Sequence, residues 1–345
     1  MMGRRNGVLK LLKDDYPEMI TVHCVLHREN LAAQGLTPEL NDVMKQCIKV
    51  INFIKSHPKT ERLFKVFCEE MNEDHVRLLL HTQVRWLSKG KCLERFVVLY
   101  DTIVEFGADH ELFQFLKSEE ARYLICYLAD IFGKLNVLNE ALQGSNKTMM
   151  DCKTKICGFI SKLTFWRSQI SRGNFSQFAH LSQYQVSDNA VEIINRHLSA
   201  LSDDFNSRFS DLKSMKFPSW IAQPFLFDTD CDDIHMMNPD EVDDLLELRN
   251  DASMKAIHSA KGQLMWLDTD VNEKYPKLAT EAQQTLLPFP TTYIVECAFS
   301  AVADLLTKKR GALDISVRGD LRVKLTSFSP DFSAFVSQHQ AHGSH

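Results

Sequence analysis

Apolar side chains recur at helical spacing along most of this chain. Val43, Cys47, Val50, Ile51 and Ile54 follow the i, i+3, i+4, i+7 pattern that places one face of a helix in a core. Comparable patterns predict helices over residues 7–13, 62–67, 93–106, 112–142, 153–170, 185–209 and 245–266, with 112–142 either a single long helix or a pair. The pattern predicts a mainly α protein, without the fixed period of a solenoid.

Two segments interrupt this helical pattern. Met19–Leu26 is short, rich in β-branched residues and preceded by Pro17, so we predict a β-strand there. Residues 217–244 carry three prolines and a dense run of acids. Their Asp-x-Asp-x-Asp-Asp string lacks the glycine and closing glutamate of an EF-hand loop. A solvated loop leading into a helix is therefore favoured over a metal site.

Composition places the chain among ordinary globular proteins, with 44% hydrophobic and 25% charged residues in 345. No apolar stretch approaches the roughly 20 residues of a transmembrane helix, and no signal peptide is evident. The nine cysteines are odd in number and irregularly spaced, which indicates reduced thiols inside the cell. Net charge is −5, but Lys and Arg exceed Asp and Glu in the first hundred residues. Any electrostatic contact with DNA is expected in that first third.

Three motifs carry candidate chemistry. The first is a set of three potential metal ligands within five residues, His23, Cys24 and His27. A zinc site needs a second pair of ligands at suitable spacing, and the sequence offers none. A buried thiol beside a hydrogen-bonded histidine is therefore favoured. Trp86, between Arg85 and Ser88, fits either a base-stacking side chain or a core tryptophan at a helix start.

The third motif is Glu296, a single acid inside the apolar run that follows Pro290. Thr291 or Thr292 can cap a helix there, and Gly311 can end it. A carboxylate within an apolar helix is costly unless it has a partner or a role.

The terminal segment resembles the C-terminal signature of hAT-family transposases, and especially the domesticated group in vertebrate host proteins. The resemblance rests on Tyr293–Ser300, Lys308–Arg310 and Asp320–Leu325, preceded in order by Leu245–Leu248, Trp266 and Tyr275-Pro276. It implies an incomplete RNase H-like core with a small β remnant at 1–35, a helical insertion domain at 36–275, and closing helices with a dimerisation region at 276–345.

The resemblance also implies roles for particular residues. Cys24 and His27 match a motif that lies near DNA, and Arg85, Trp86 and Ser88 match the element whose aromatic stacks on an extruded base. Glu296 matches the third of three carboxylates that hold two Mg²⁺ ions. The two preceding aspartates have no counterpart, so we expect an N-terminally truncated chain that is not an enzyme, with no cofactor; Mg²⁺ would bind only in a complete site.

The function expected from this resemblance is protein association. Phe299, Val302, Leu306 and Leu321 are predicted to face a second copy or a related transposase-derived protein. Weak DNA binding, a nuclear rather than cytoplasmic location and no membrane partner are expected with it. The alternative is a subunit of an active DDE-type transposase or nuclease whose aspartates come from missing upstream sequence. A metal-binding regulator using His23, Cys24, His27 and the acidic loop ranks last.

Overall fold

The computed structural model describes residues 8–16, 23–79, 86–144, 146–306 and 319–326, and all regular structure within these ranges is helical. The α-helices, in chain order, are α1 (Val8–Asp15), α2 (Val25–Ala32), α3 (Pro38–Ser56), α4 (Pro58–Glu70), α5 (Trp86–Val98), α6 (Tyr100–Phe106), α7 (Glu119–Leu142), α8 (Met149–Ser171), α9 (Asp188–Arg208), α10 (Ser210–Ser214), α11 (Ser219–Ala222), α12 (Asp232–His235), α13 (Pro239–Asn250), α14 (Ala252–Lys261), α15 (Thr269–Lys274), α16 (Pro276–Leu286), α17 (Tyr293–Leu305) and α18 (Asp320–Leu325). Short 3₁₀ helices span Glu111–Lys117, Leu181–Gln183 and Gly262–Leu267. The prediction of a mainly helical fold is confirmed.

The predicted strand is wrong where the structure describes it. Val25 and Leu26 form the first turn of α2 and are buried. Met19–Val22 lie outside the described residues, and no strand occurs within the described ranges. A run of β-branched residues fits a buried helix as well as a strand, because burial rather than backbone preference decides such short apolar segments.

Three predicted helical segments are divided. The segment 112–142 breaks at Ser118, between the 3₁₀ helix Glu111–Lys117 and α7. The segment 93–106 breaks at Leu99, which lies between α5 and α6 and is fully buried. The segment 245–266 breaks at Asp251, whose carboxylate accepts hydrogen bonds from the backbone N–H groups of Ser253 (2.8 Å) and Met254 (3.3 Å). Aspartate is a strong N-cap, so this side chain starts α14 where the periodicity alone predicted continuation.

The long helix α7 is the centre of the larger helical assembly. The hydroxyl of Ser118 accepts a hydrogen bond from the backbone N–H of Ala121 and thereby caps the helix start. Most of its circumference is apolar and buried, including Tyr127, Phe132 and Leu135. Because these apolar sides of the helix must be covered, α7 packs against α2, α3, α5, α8 and α9.

A second cluster of buried side chains is built on two tryptophans. The rings of Trp220 and Trp266 meet edge to face with centroids 5.4 Å apart. The indole N–H of Trp266 donates to the carbonyl oxygen of Ile221 at 2.9 Å. Helix α16 contributes Leu278, Ala279 and Ala282 to the same cluster, so the Trp-containing segment and α16 share one core.

The chain divides into two compact units, the first ending at Thr291 and the second beginning at Thr292. In the second unit α17 packs against α18, and Nζ of Lys324 lies 3.4 Å from Oδ2 of Asp304. The predicted boundaries after residues 35 and 275, like the RNase H-like core itself, remain predictions. In the described residues, no helix has both the length and the apolar composition needed to cross a membrane.

Candidate functional site

Cys24 and His27 lie at the start of α2. Cys24 directly precedes the helix and makes no side-chain cap, and His27 is in the first turn. Cys24 is half-buried and His27 is exposed. Their spacing of three residues places them on one side of the helix. The thiol is therefore less buried than the sequence indicated, and the DNA-contact role of both residues remains a prediction.

The residue after His27 fixes the orientation of this helix. The Arg28 guanidinium is buried and forms an ion pair with Asp211 of α10. It also donates to the carbonyl oxygens of Arg208 (2.8 Å) and His23 (3.1 Å). Because a buried cation requires such partners, Arg28 ties the start of α2 to the junction between α9 and α10.

Glu29 forms a second buried polar contact of α2. Its Oε2 accepts a hydrogen bond from Nδ2 of Asn139 on α7 at 2.6 Å, and the carbonyl of Asn139 accepts from Gln143. Burial raises the pKa of the Glu29 carboxyl to about 7, and the hydrogen bond from Asn139 acts in the opposite direction. The charge of this group therefore changes close to neutral pH.

Sequence reasoning missed both Arg28 and Glu29. Both lie in the polar run His27–Asn30, which reads as an exposed segment, so the local sequence carries no signal that either side chain is buried. On a strand they would have faced opposite sides, and one would have been in solvent. On a helix packed on several sides both are buried, which required partners from α7, α9 and α10 that the local sequence does not contain.

The second DNA-contact candidate lies mostly outside the described part of the chain. Arg85 is outside the described residues. Trp86 and Ser88 are the first and third residues of α5, and their side chains also fall outside that part. Both roles considered for this tryptophan, base stacking and core packing at a helix start, remain predictions.

Glu296 lies in the first turn of α17 and is exposed. One carboxylate oxygen, Oε1, accepts a hydrogen bond from the hydroxyl of Thr292 at 2.8 Å. Because Glu296 is exposed, its carboxylate carries no burial cost although the surrounding run is apolar; its role as a catalytic acid remains a prediction.

The predicted association residues differ in exposure. Phe299 is 69% exposed and Val295, one turn earlier on α17, is 52% exposed. Val302, Leu306 and Leu321 are half-buried. On α18, Val323 and Leu325 are 44% and 47% exposed. The second unit thus presents several large apolar side chains to solvent.

Among the described residues, no group of three His, Cys, Asp or Glu side chains converges as a set of metal ligands. His23, Cys24 and His27 accordingly do not form such a group. His23 has its pKa lowered, first by partial burial and then by the nearby positive charge of Arg28.

Comparison with known proteins gives one family match. Residues 23–171, less than half of the chain, match the family described as FAM200-GTF2IRD2-like, the FAM200/GTF2IRD2 helical domain. No solved structure matches the chain. The matched range begins at His23, just before α2, and ends at the last residue of α8. This match agrees broadly with the resemblance to transposase-derived host proteins, and it shows that the segment from α2 to α8 is similar to this helical domain.

Proposed function

We propose that this chain is a transposase-derived association protein, which pairs through α17 and α18 with a second copy of itself or with a related protein. The observation that carries the proposal is the 69% exposure of Phe299. Val295 extends the same strip by one helical turn. Burying a phenylalanine or valine side chain in an interface is worth roughly 1.5–3 kcal/mol, so an apolar strip of this kind favours association.

Sedimentation at micromolar concentration tests this proposal, because a dimer that buries about 1,600 Å² usually persists there. The informative variant is Phe299→Asp, which places a charge on the strip. Ser300→Asp is the matched control, since Ser300 is the next residue on α17 and is also exposed. We expect a dimer for the native chain and for Ser300→Asp, and a monomer for Phe299→Asp. A native monomer whose mass neither substitution changes would refute the proposal.

We further propose that the protein does not cleave DNA. Of the three acids that the resemblance to hAT transposases implies, this sequence matches Glu296, and one carboxylate is too few to hold two Mg²⁺ ions. Purified protein with Mg²⁺ or Mn²⁺ should leave supercoiled plasmid intact. Metal-dependent nicking that disappears in Glu296→Gln would support the alternative, an active transposase subunit.

Residual DNA binding and a nuclear location are the last parts of the proposal, and both rest on the family resemblance. With a net charge of −5, binding should be weak and should fall steeply with salt.

Trp86→Ala distinguishes two roles for this residue. Loss of oligonucleotide binding with an unchanged melting temperature indicates base stacking, worth roughly 1–3 kcal/mol per base. A lower melting temperature with unchanged binding indicates a core tryptophan.

A further inference from the structure

The outer faces of α7 and α8 form an open groove with a volume of about 750 Å³, here called the α7–α8 groove. Lys134 of α7 and Lys155 and Lys162 of α8 line it, and its lining contains no carboxylate. Asp130, one turn before Lys134, instead accepts hydrogen bonds from the backbone N–H groups of His180 and Leu181 at 3.1–3.2 Å. The groove is therefore positively charged on a chain that is acidic as a whole.

Large apolar side chains lie beside these lysines. Val137 is 68% exposed and Phe165 is 52% exposed, and both line the groove. Ala141 extends the apolar surface one turn along α7 from Val137. Exposed apolar surface rimmed by charge marks interaction sites on soluble proteins. The groove has both properties that an amphipathic partner requires.

The shape of the groove fits a helix. The α8 residues that line it run from Thr154 to Trp166, which is more than three turns or roughly 18 Å of helix. Gly158 lies midway, and a Cβ atom built on it would meet nothing within 4 Å. Its missing side chain leaves room for a partner backbone to approach closely.

The aromatic residues favour a peptide over a single-stranded nucleic acid. Trp166, the largest ring in the lining, is only 5% exposed. Nζ of Lys134 lies over it, 4.5 Å from the ring centroid. A base needs an open ring face on which to stack, and this face is occupied. Leucine-sized side chains, by contrast, can pack on Val137 and Phe165 from the side.

We propose that the α7–α8 groove binds an acidic amphipathic helix of a partner protein. The apolar face of that helix packs on Val137, Phe165 and Gly158, and its carboxylates pair with Lys134, Lys155 and Lys162. Helix binding in a groove through residues at i, i+4 and i+7 is a recurring mode of peptide recognition. This site is independent of α17 and of the association proposed for it.

Isothermal titration of the full chain with a synthetic peptide tests the proposal. The peptide has about 18 residues, enough for a marginally stable helix, with leucine at i, i+4, i+7 and i+11 and glutamate flanking them. Lys155→Glu with Lys162→Glu should weaken its binding about tenfold or more, because two attractions between opposite charges would become repulsions. Lys49→Glu with Lys59→Glu is the matched control, since these exposed lysines of α3 and α4 carry the same charge change away from the groove.

A second variant separates shape from charge. Gly158→Leu fills the groove without altering its charge, and the open space there allows the chain to fold normally. We expect it to weaken the acidic peptide about tenfold as well. Three results would overturn the proposal: no binding by the native chain, equal losses in the Lys49/Lys59 control, or tighter binding of a single-stranded oligonucleotide or of a peptide with lysine in place of glutamate.

Discussion

The side-chain amide of Asn139 donates a 2.6 Å hydrogen bond to the carboxyl group of Glu29, and this contact links α2 to the central helix α7. Glu29 is only 2% exposed. Burial raises its pKa from 4.5 to about 7. The charged form is disfavoured in the folded protein, so folding and protonation of this group are coupled.

Substitution of Glu29 by glutamine should remove part of the pH dependence of the free energy of unfolding. A raised carboxyl pKa means that the stabilising contribution is complete below pH 4.5 and is lost as pH rises to about 7. The loss is at most about 3 kcal/mol in the free energy of unfolding. Urea unfolding between pH 5 and 8 should show this decline in the native chain and not in Glu29→Gln. Glu140→Gln, an exposed neighbour on α7, should retain it.

His197 should show the opposite dependence on pH. Its Nδ1 lies 2.6 Å from the hydroxyl of buried Tyr127, and burial lowers the pKa of the imidazole to about 4. Stability from the neutral ring is therefore complete above pH 6.5 and is lost as pH falls toward 4. His197→Gln should remove this acid-side loss, again up to about 3 kcal/mol.

The control for His197 is the exposed His235 of α12. Unfolding curves of His235→Gln should follow those of the native chain between pH 4 and 7. If His197→Gln and His235→Gln gave identical profiles, the coupling of His197 to folding would be excluded.

Substitution by alanine should change stability in different directions at three glycines, two within helices and one at a helix end. Gly133 in α7 and Gly158 in α8 have open space where a Cβ atom would lie. Alanine there should stabilise the fold by about 0.5–1 kcal/mol each, because glycine is a poor helix former. At Gly107 a Cβ atom would lie 2.1 Å from ring atoms of buried Phe113, so Gly107→Ala should destabilise by about 1–3 kcal/mol. Chemical denaturation of the three variants checks both signs.

Trp266 should be the most sensitive position of the second buried cluster. Trp266→Ala leaves a cavity beside Trp220 and should cost about 3–5 kcal/mol. Trp266→Phe keeps much of the packing but removes the hydrogen bond to the carbonyl oxygen of Ile221, and should cost about 1–3 kcal/mol. Phe165→Ala, at an exposed site, should change stability by less than about 0.5 kcal/mol. Thermal unfolding measures all three, and equal effects would contradict this assignment of the core.

The sequence by itself determined the helical class of this protein and the positions of most long helices. The i, i+3, i+4, i+7 spacing from Val43 to Ile54 predicted α3, and the apolar segments around Leu124 and Ile193 predicted α7 and α9. These patterns are local, because a helix satisfies its own backbone hydrogen bonds and needs only one apolar face to be placed. Capping residues also acted locally, and Asp251 could have been identified as a helix start.

Only the tertiary structure decided which charged residues are buried. Arg28 and Glu29, in a polar run, are buried because partners from distant helices reach them, whereas Glu296, inside an apolar run, faces solvent. The sequence around each residue does not contain these partners. The same limit applies to the α7–α8 groove, whose lysines come from two successive helices and form one surface only because α7 and α8 pack side by side. Burial and charge pairing depend on contacts between distant segments, and periodicity records only one segment at a time.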